Sequence, residues 1–351
     1  MEVVMVGLRD RGEAIRQFII NNVEGHANDI VIVTADEFDI SRQAVSVHMK
    51  RLVQQKSIIA EGNTRNRIYK LHPLVEVTES FDLLGLEEDR IWRDFVASKL
   101  GALPDNVLDI WHYGFTEMLN NAIDHSQGNH AIITIKKTPV SSEIIITDDG
   151  IGIFTRICNI LELNDERHAV LELSKGKLTT DPDNHTGEGI FFSSRMFDEY
   201  AILSGEVYFS HEYNKPEDWI MERSKPSSGT TVFMKMSNNS SRKIKAIFDE
   251  FACGEDYGFD KTVVPVALAR YGNEKLVSRS QAKRLLARID RFKIVIFDFE
   301  GIDQIGQAFA DQVFRVFQNQ HPYIQLHFIK TNPNVENMIV RALSRQVDIK
   351  T

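Results

Sequence analysis

Cysteine and long apolar runs are scarce in this sequence of 351 residues. The two cysteines, Cys158 and Cys253, lie far apart with no pairing pattern, which argues against a disulfide framework. No run of about 18 apolar residues occurs, so no membrane-spanning helix is predicted. The stretch MEVVMVGLRDRGEAIRQ has only a short apolar run before charge returns, unlike a secretory leader. We therefore expect a reduced, soluble, cytoplasmic protein with no membrane partner.

Positive charge is also in deficit, except in one segment. The net charge of −9 argues against a protein that coats a polyanion along its whole length. Residues 41–70 have the opposite balance, because the single acid Glu61 stands there against seven basic residues: Arg42, Lys50, Arg51, Lys56, Arg65, Arg67 and Lys70. Any contact with nucleic acid should therefore be local to this segment.

The length predicts two or three domains, each with a core of its own. Residues 10–23 and 34–55 predict three helices, the last one capped by Ser41. The stretches SIIAE and NRIYKL then predict a hairpin that turns at GNTRN. Three helices followed by a hairpin make the outline of a winged helix-turn-helix, and we assign it residues 1–75.

Residues 76–240 predict an α+β unit with a mostly antiparallel sheet. A helical connector, 76–106, leads to a helix after Pro104 and then to the strands HAIITIKK and SEIIITD. A loop-rich stretch is expected from Gly150 to Thr186, then a helix from about Gly189 to Tyr200. Three further strands are expected near 201–210, 219–223 and 230–236, and SNNSSRK is expected to be a linker. Residues 241–351 alternate strands with helices, which predicts a small α/β domain.

The helix that contains FTEMLNNAIDHS has one apolar face and one polar face. At 3.6 residues per turn the apolar face holds Trp111, Phe115, Met118 and Ala122, and the polar face holds Glu117, Asn120, Asn121 and Asp124. Glu117 and Asn121 stand four apart and can address the same small volume. A carboxylate can accept a proton from an attacking water, and an amide oxygen can bind Mg²⁺.

Three other fragments suit a nucleotide. TDDGIGIF places Asp148 at a strand end, where it can accept a hydrogen bond from an exocyclic amine, and Gly150 and Gly152 let the backbone approach a flat ring. HTGEGIFFSSRMF is a glycine-rich turn that opens a helix and directs N–H groups toward phosphate. GTTVFMKM is a strand that begins with Gly229 and Thr230.

Taken in order, the four fragments resemble the ATP-binding domain of the GHKL superfamily, which includes gyrase-type topoisomerases, heat-shock chaperones, histidine kinases and mismatch-repair ATPases. EMLNNAID is similar to the first box of that family, DDGIG to the second, TGEG to the third and GTTV to the fourth, over about residues 107–237. The third box has only two glycines, fewer than in histidine kinases. The resemblance implies a Bergerat sandwich that binds ATP and Mg²⁺.

The resemblance also implies roles for single residues. Glu117 would be the general base, Asn121 the Mg²⁺ ligand, Asp148 the acceptor for the adenine amine and Thr230 a second adenine contact. The other positions implied to lie around the nucleotide are Asp124, Gly150, Gly152, Thr186, Gly187 and Gly189. Residues 153–186 would form a lid that closes over the phosphates and couples ATP to a distant surface.

The enzymatic class stays open at this point. Histidine kinases place a phosphoacceptor histidine on a helical hairpin before this domain, whereas residues 72–105 offer only His72, which Pro73 keeps out of a helix. A histidine kinase is therefore not expected. Glu117 could activate water, as in an ATPase, or a serine hydroxyl, as in the serine kinases that act as anti-sigma factors.

The basic segment predicts a surface for duplex DNA. Arg42, Gln43, Ser46 and Lys50 have spacings that can face a major groove, and Arg65 and Arg67 would lie on the wing. The alternative is a winged helix that serves only for protein docking or dimerisation.

The C-terminal unit resembles STAS-like domains through IVIFDFEGIDQIGQAFADQVF. Gln307 and Ala308 stand where related antagonists carry a phosphorylatable serine, so that switch is not expected. This unit would either regulate a protein partner or only pack, which would favour a homodimer. We expect a regulator in which Mg-ATP gates binding to DNA or to a partner. The alternative is an enzyme, a serine kinase or an ATPase, whose winged helix docks proteins.

Overall fold

The computed structural model describes residues 2–63, 66–163, 165–178, 187–215, 219–252, 258–270 and 274–344, which form a multi-domain α+β structure. The sheets are of both kinds, because one is antiparallel throughout and another is parallel. No described helix combines the length and the apolar character needed to cross a bilayer.

The N-terminal unit has three helices followed by a two-stranded hairpin. The elements are α1 (Glu2–Asn22), α2 (Ile30–Phe38), α3 (Arg42–Gln54), β1 (Ile58–Glu61) and β2 (Ile68–Leu71). The predicted cap is confirmed, since the Ser41 hydroxyl oxygen accepts a hydrogen bond from the Ala44 amide at 3.2 Å. The helices and the hairpin enclose a core of their own, which includes Ile19, Val45, Leu52 and Ile58. The assignment as a winged helix stays a prediction.

The middle unit has a five-stranded antiparallel sheet of order β3-β4-β5-β7-β6. Its strands are β3 (Val75–Asp82), β4 (His130–Lys137), β5 (Ser141–Asp148), β6 (Glu199–Glu212) and β7 (Trp219–Ser237). The predicted antiparallel character is confirmed. Two details were wrong: β3 occupies the start of the expected helical connector, and the expected strands at 219–223 and 230–236 are one strand.

Helices cover one side of this sheet. Residues 88–100 form α4, which includes a π-helical turn at Trp92–Val96. The helix that contains the polar motif is α5 (Asp105–Asn120), and a π-helical turn at Asn121–His125 continues it. Trp111, Phe115 and Ala122 are buried as the periodicity predicts. The polar face of α5 therefore points away from this apolar core.

The expectation of a loop-rich stretch from 150 to 186 was wrong over the described residues. The chain forms α6 (Ile153–Leu161) and α7 (Glu166–Lys175) there, and α8 (Gly189–Met196) follows. The sequence of α7 misled because its charged residues suggest solvent, whereas Glu172 and Lys175 are both almost fully buried. Their charges are paired inside the protein.

The C-terminal unit begins with α9 (Ile244–Phe251) and contains a parallel sheet of order β10-β9-β8. Its other elements are β8 (Lys261–Pro265), α10 (Arg279–Leu286), β9 (Ile294–Asp298), α11 (307–320), β10 (Gln325–Ile329) and α12 (Pro333–Ser344). The predicted alternation of strands and helices is confirmed. The helix α9 was not predicted.

The middle and C-terminal units share one continuous apolar core, whereas the N-terminal core is separate. Phenylalanine rings join the two units: the ring centroids of Phe191 and Phe259 are 4.6 Å apart, and those of Phe192 and Phe248 are 4.3 Å apart. The expected linker at 237–243 is also held in place, because the buried Asn238 side-chain amide donates to the Thr138 carbonyl at 2.9 Å. The two units are therefore packed together rather than connected by a free segment.

A buried ion pair reinforces this junction. Lys175 Nζ lies 2.8 Å from Glu172 Oε1 and donates to the Ala287 carbonyl at 2.9 Å, while Arg288 Nη1 lies 3.1 Å from Glu172 Oε2. The Thr262 hydroxyl donates to the carbonyl of Lys175 at 2.7 Å. Helix α7 is thus bonded to the C-terminal unit through its side chains and its last carbonyl.

We predict that Lys175→Met lowers the free energy of unfolding by about 3 kcal/mol. The substitution removes one of the two cations paired with the buried Glu172 and leaves Arg288 as the other. Lys283→Met, an exposed position on α10, is the matched control and should change it by less than about 0.5 kcal/mol. Urea unfolding of the full chain measures both. Equal effects of the two substitutions would show that the buried pair adds nothing to stability.

Candidate functional site

A cavity of about 320 Å³ lies between α5, the face of the sheet and the helices α6, α7 and α8. Six of the residues assigned to the nucleotide lie along its wall, although they come from distant parts of the chain: Glu117, Asn121, Asp148, Gly187, Gly189 and Thr230. Such a volume is in the range of small-molecule sites. The fold thus brings all four sequence motifs to one place.

Asp148, the last residue of β5, supplies a buried carboxylate. Its Oδ1 accepts backbone hydrogen bonds from Gly150 at 2.9 Å and from Thr230 at 3.2 Å. Burial raises the pKa of Asp148, and these two hydrogen bonds act in the opposite direction. Only 7% of the residue is exposed, so a ligand that reaches it meets a fixed acceptor with little competition from water.

Backbone contacts position Asp148 and Thr230 together. Gly229 has φ +70°, and a Cβ atom there would lie 1.9 Å from the carbonyl oxygen of Asp148, so only glycine allows β7 to approach β5 so closely. The Thr230 hydroxyl oxygen accepts from the amide of Ile153 at 2.9 Å, which ties the start of α6 to the same place.

Glu117 lies where α5 meets the start of α8. A Cβ atom on Gly189 would lie 2.0 Å from Glu117 Oε2, so the glycine leaves room for this carboxylate. Tyr113 is close by: burial raises its pKa, and the charges of Glu117 and Glu188 add to that effect. Burial also raises the pKa of Glu188. Glu117 therefore brings a carboxylate to the cavity wall, with Glu188 near enough to act on the same phenol.

Asn121 opens the π-helical turn at the other end of the polar stripe on α5. π-helical turns inside α-helices are frequent at functional sites because they redirect side chains. Arg156 lies on the opposite wall and donates from Nη1 to the carbonyl of His125 at 2.9 Å, while its buried Nε has no partner in the described residues. Both side chains line the cavity.

The rest of the wall is apolar. The sheet contributes Ile146, Ile202 and Val232, and α6 contributes Ile157. Leu173 of α7 and Leu178 just after it also line the cavity. An apolar wall beside one buried carboxylate suits a flat heterocycle with an amino group, because the ring is desolvated and the amine has an acceptor.

Three of the residues assigned to the nucleotide are not brought to the wall. Asp124 is exposed and does not line the cavity, because the π-helical turn carries it to the outer side. Gly150 and Gly152 also do not line it; Gly150 packs against the carbonyl of Ser126, and Gly152 precedes α6. Thr186 lies outside the described residues.

Sequence reasoning missed several residues of the wall. Arg156 and Leu173 fall in the stretch that was expected to be loop, so neither was placed against the motifs. Two residues near Glu117 were also not singled out, although neither lines the cavity: Glu188 lies inside the TGEG motif, and Tyr113 is one turn before Glu117 on the same helix. The period of α5 could have identified Tyr113, whereas no sequence pattern indicates where α6 and α7 pack.

The residues around the cavity fit Mg²⁺ bound partly by water and phosphate. Glu117 and Asn121, one helical turn apart, both line the cavity and provide oxygen ligands. The described residues contain no group of three or more His, Cys, Asp or Glu side chains that could hold an ion by themselves. Magnesium commonly binds with one or two protein ligands and the phosphates of its substrate.

The residues predicted to contact DNA lie on α3 and the hairpin. Arg42, Gln43, Lys50 and Arg67 are exposed. The Ser46 hydroxyl donates to the carbonyl of Arg42 at 2.9 Å and is half-buried. Arg65 lies outside the described residues.

The same surface has an apolar residue and an internal ion pair. Val47 of α3 is 67% exposed, and Lys70 Nζ lies 2.6 Å from Glu61 Oε2. The only acid of the basic segment is therefore neutralised, and the exposed cations remain. An exposed valine can contact a thymine methyl group, or it can contact a protein partner.

Comparison with known proteins identifies one part of the chain. A search of curated proteins finds no match. Residues 281–336, from α10 to the start of α12, match a family described as "STAS-like domain of unknown function (DUF4325)". The match agrees with the resemblance seen in the IVIFDFEG stretch and with the parallel sheet found there. The chain therefore carries a STAS-like domain at its C-terminus.

Proposed function

We propose that this protein binds ATP with Mg²⁺ in the cavity beside α5 and uses the bound nucleotide to regulate contact with duplex DNA or a protein partner. The observation that carries the proposal is the convergence of Glu117, Asn121, Asp148 and Thr230, from four separate motifs, on one cavity. Random polar residues from four segments seldom meet at a pocket that also has an apolar wall.

Adenine fits the deep end of this cavity. Asp148 would accept the exocyclic amine, and the apolar side chains Ile146, Ile157 and Val232 would pack around the ring. The phosphates would then extend toward Asn121, Gly187 and Gly189. Bound Mg²⁺ would offset the phosphate charge beside Glu117.

The packing of α7 supports a regulatory role. Leu173 on this helix faces the cavity, while Glu172 and Lys175 are bonded to the STAS-like side of the molecule. A ligand that displaces Leu173 also displaces the rest of α7, and the contacts of Glu172 with Arg288 and of Lys175 with the carbonyl of Ala287 oppose that movement. This helix lies in the segment expected to form the lid, and it offers a route from nucleotide to STAS-like domain.

We predict that Asp148→Asn weakens ATP binding by about 1.5–3 kcal/mol, because the adenine amine loses an ionised acceptor. Asp149→Asn is the matched control: the Asp149 carboxylate is half exposed, accepts from the amides of Asn129 and His130, and does not line the cavity. Calorimetric titration with Mg-ATP measures both variants. Unchanged affinity in Asp148→Asn would remove the nucleotide assignment.

Glu117→Gln should retain nucleotide and lose turnover by roughly 10²–10⁴, since a general base acts on the transition state and contributes little to ground-state binding. The assay measures phosphate release and transfer of label to co-purified proteins, with Asp124→Asn as an exposed control on the same helix. Transfer to serine would assign a kinase. If wild type neither hydrolyses nor transfers phosphate, the site is a binding switch and not an enzyme.

Duplex DNA is the proposed partner of the N-terminal unit, because Arg42, Lys50 and Arg67 are exposed on α3 and the hairpin while the nearby acid Glu61 is paired. Neutralisation of phosphates by such side chains makes affinity fall steeply with salt. Gln43, on the first turn of α3, is placed to read a base edge.

We predict that Arg42→Gln with Lys50→Gln weakens binding to all duplexes alike and lowers the salt slope by about 2, whereas Gln43→Ala costs about 1–3 kcal/mol only on a preferred site. The control with the same charge change is Arg90→Gln with Arg93→Gln, which are exposed on α4. Fluorescence anisotropy at two salt concentrations, with and without Mg-ATP, measures these effects.

The same experiment also tests whether binding of ATP and binding of DNA are coupled. If ATP changes the affinity for DNA by some factor, DNA must change the affinity for ATP by the same factor. Absence of duplex binding at low salt in every nucleotide state would make the N-terminal unit a protein-docking module and leave the ATP site unaffected.

A further inference from the structure

A second cavity, of about 550 Å³, lies between the middle unit and the STAS-like side of the molecule. Its walls come from the end of β6, the start of α9 and the carboxyl ends of the parallel strands, where Pro265 ends β8 and Asp298 ends β9. Lys330, one residue after β10, completes this edge. Ligands of parallel α/β sheets bind outside the carboxyl ends of the strands, which makes this edge a natural binding place.

The second cavity is rich in cations, although the chain as a whole has a net charge of −9. Basic side chains outnumber acidic ones along its wall: Arg195, His211, Lys215, Arg242, Lys243 and Lys330 stand against Glu250 and Asp298. Some of this charge is already paired, since Lys330 Nζ lies 2.8 Å from Asp298 Oδ2 and Arg242 forms an ion pair with Asp198. Lys243 is exposed at the N-terminal end of α9, where the helix dipole adds to its positive potential.

Arg242 provides the independent sign of a missing partner. Its guanidinium lies 4.1 Å from the centre of the Tyr213 ring, its Nε donates to the Ser240 hydroxyl oxygen at 3.1 Å, and its Nη2 bonds to Asp198. The side chain is only 11% exposed, and its Nη1 is buried with no hydrogen-bond partner in the described residues. A buried charged donor without an acceptor costs free energy, and Nη1 is closed off from solvent, so an anion in the cavity gains this donor when the guanidinium turns toward it.

The geometry points to a second ligand site in this cavity: we propose that it binds the phosphate group of a small phosphorylated molecule, with Arg242 Nη1 and Lys243 as its contacts. A phosphate accepts several hydrogen bonds, and its negative charge complements the excess of basic side chains on this wall. The volume accommodates a small molecule rather than a polymer. A ligand there would touch both the middle unit and the strand ends of the STAS-like side.

Ribose 5-phosphate serves as the probe and ribose as its uncharged counterpart, titrated into the full-length protein by calorimetry, with ³¹P NMR to observe the phosphate. We expect ribose 5-phosphate to bind and ribose not to bind. Lys243→Gln should weaken binding about fivefold to tenfold, the effect of losing one charged contact at a partly exposed site. The matched control is Lys245→Gln, on the same helix but outside the cavity wall, where its amine lies 2.9 Å from Asp249 Oδ2.

Two further variants separate the explanations. Arg242→Gln, first checked for a native melting temperature, should weaken the probe at least as much as Lys243→Gln. Asp148→Asn, which alters the other cavity, should leave the affinity for ribose 5-phosphate unchanged, so this test does not depend on the proposed ATP site. Equal losses in Lys243→Gln and Lys245→Gln would reduce the effect to general surface charge, and either that result or no binding by wild type would overturn the proposal.

Discussion

The aromatic and ionic junction around α7 is the contact on which the arrangement of both cavities depends. Phe191 and Phe192 of α8 pack against Phe251 and Phe259 of the C-terminal side, so the helix beside the first cavity is also part of the shared core. The buried pair of Glu172 and Lys175 then fixes α7 at the same boundary. Removing charge from water is costly, and the pair is retained here with its hydrogen bonds satisfied by carbonyls of the C-terminal unit.

This junction connects the first cavity physically to the STAS-like domain. A STAS-like domain attached by a free linker would respond to events in the middle unit only through collisions. Here the last carbonyl of α7 bonds to Thr262 of β8, and Leu173 of the same helix faces the first cavity. A change in the position of α7 therefore acts on the parallel sheet through this hydrogen bond. The N-terminal unit has a core of its own and contacts the middle unit through Val140 and the ion pair between Glu24 and Lys235.

The two cavities differ in the way charge is arranged. The first has a buried carboxylate, Asp148, a partly buried one, Glu117, and otherwise mostly apolar walls. The second is lined by basic side chains, among them the exposed Lys243 and the incompletely bonded Arg242. The first therefore favours a ligand that brings an amine and a metal ion, and the second favours an anion. Of the packed phenylalanines, Phe251 lines the second cavity, and none lines the first.

Local patterns in the sequence determined the helices and strands with clear periodicity and the residue types of the first cavity. The faces of α5, the alternation in β4 and β5, and the Ser41 cap all follow from interactions within a few residues. The motifs indicated Glu117, Asn121, Asp148 and Thr230 as one set because their order along the chain resembles that of a known ATP-binding domain.

Tertiary structure alone decided the rest. Helix α7 mixes apolar and charged residues, and the burial of Glu172 and Lys175 is supported by partners in a distant unit, Arg288 and the carbonyl of Ala287. The same holds for Asn238, whose expected role as a linker residue gave way to a buried hydrogen bond with Thr138, and for Arg242, whose unbonded nitrogen depends on where Asp198 and Tyr213 lie. Periodicity records which side of an element is apolar; it does not record which other element supplies the partner, because that contact joins residues far apart in the chain.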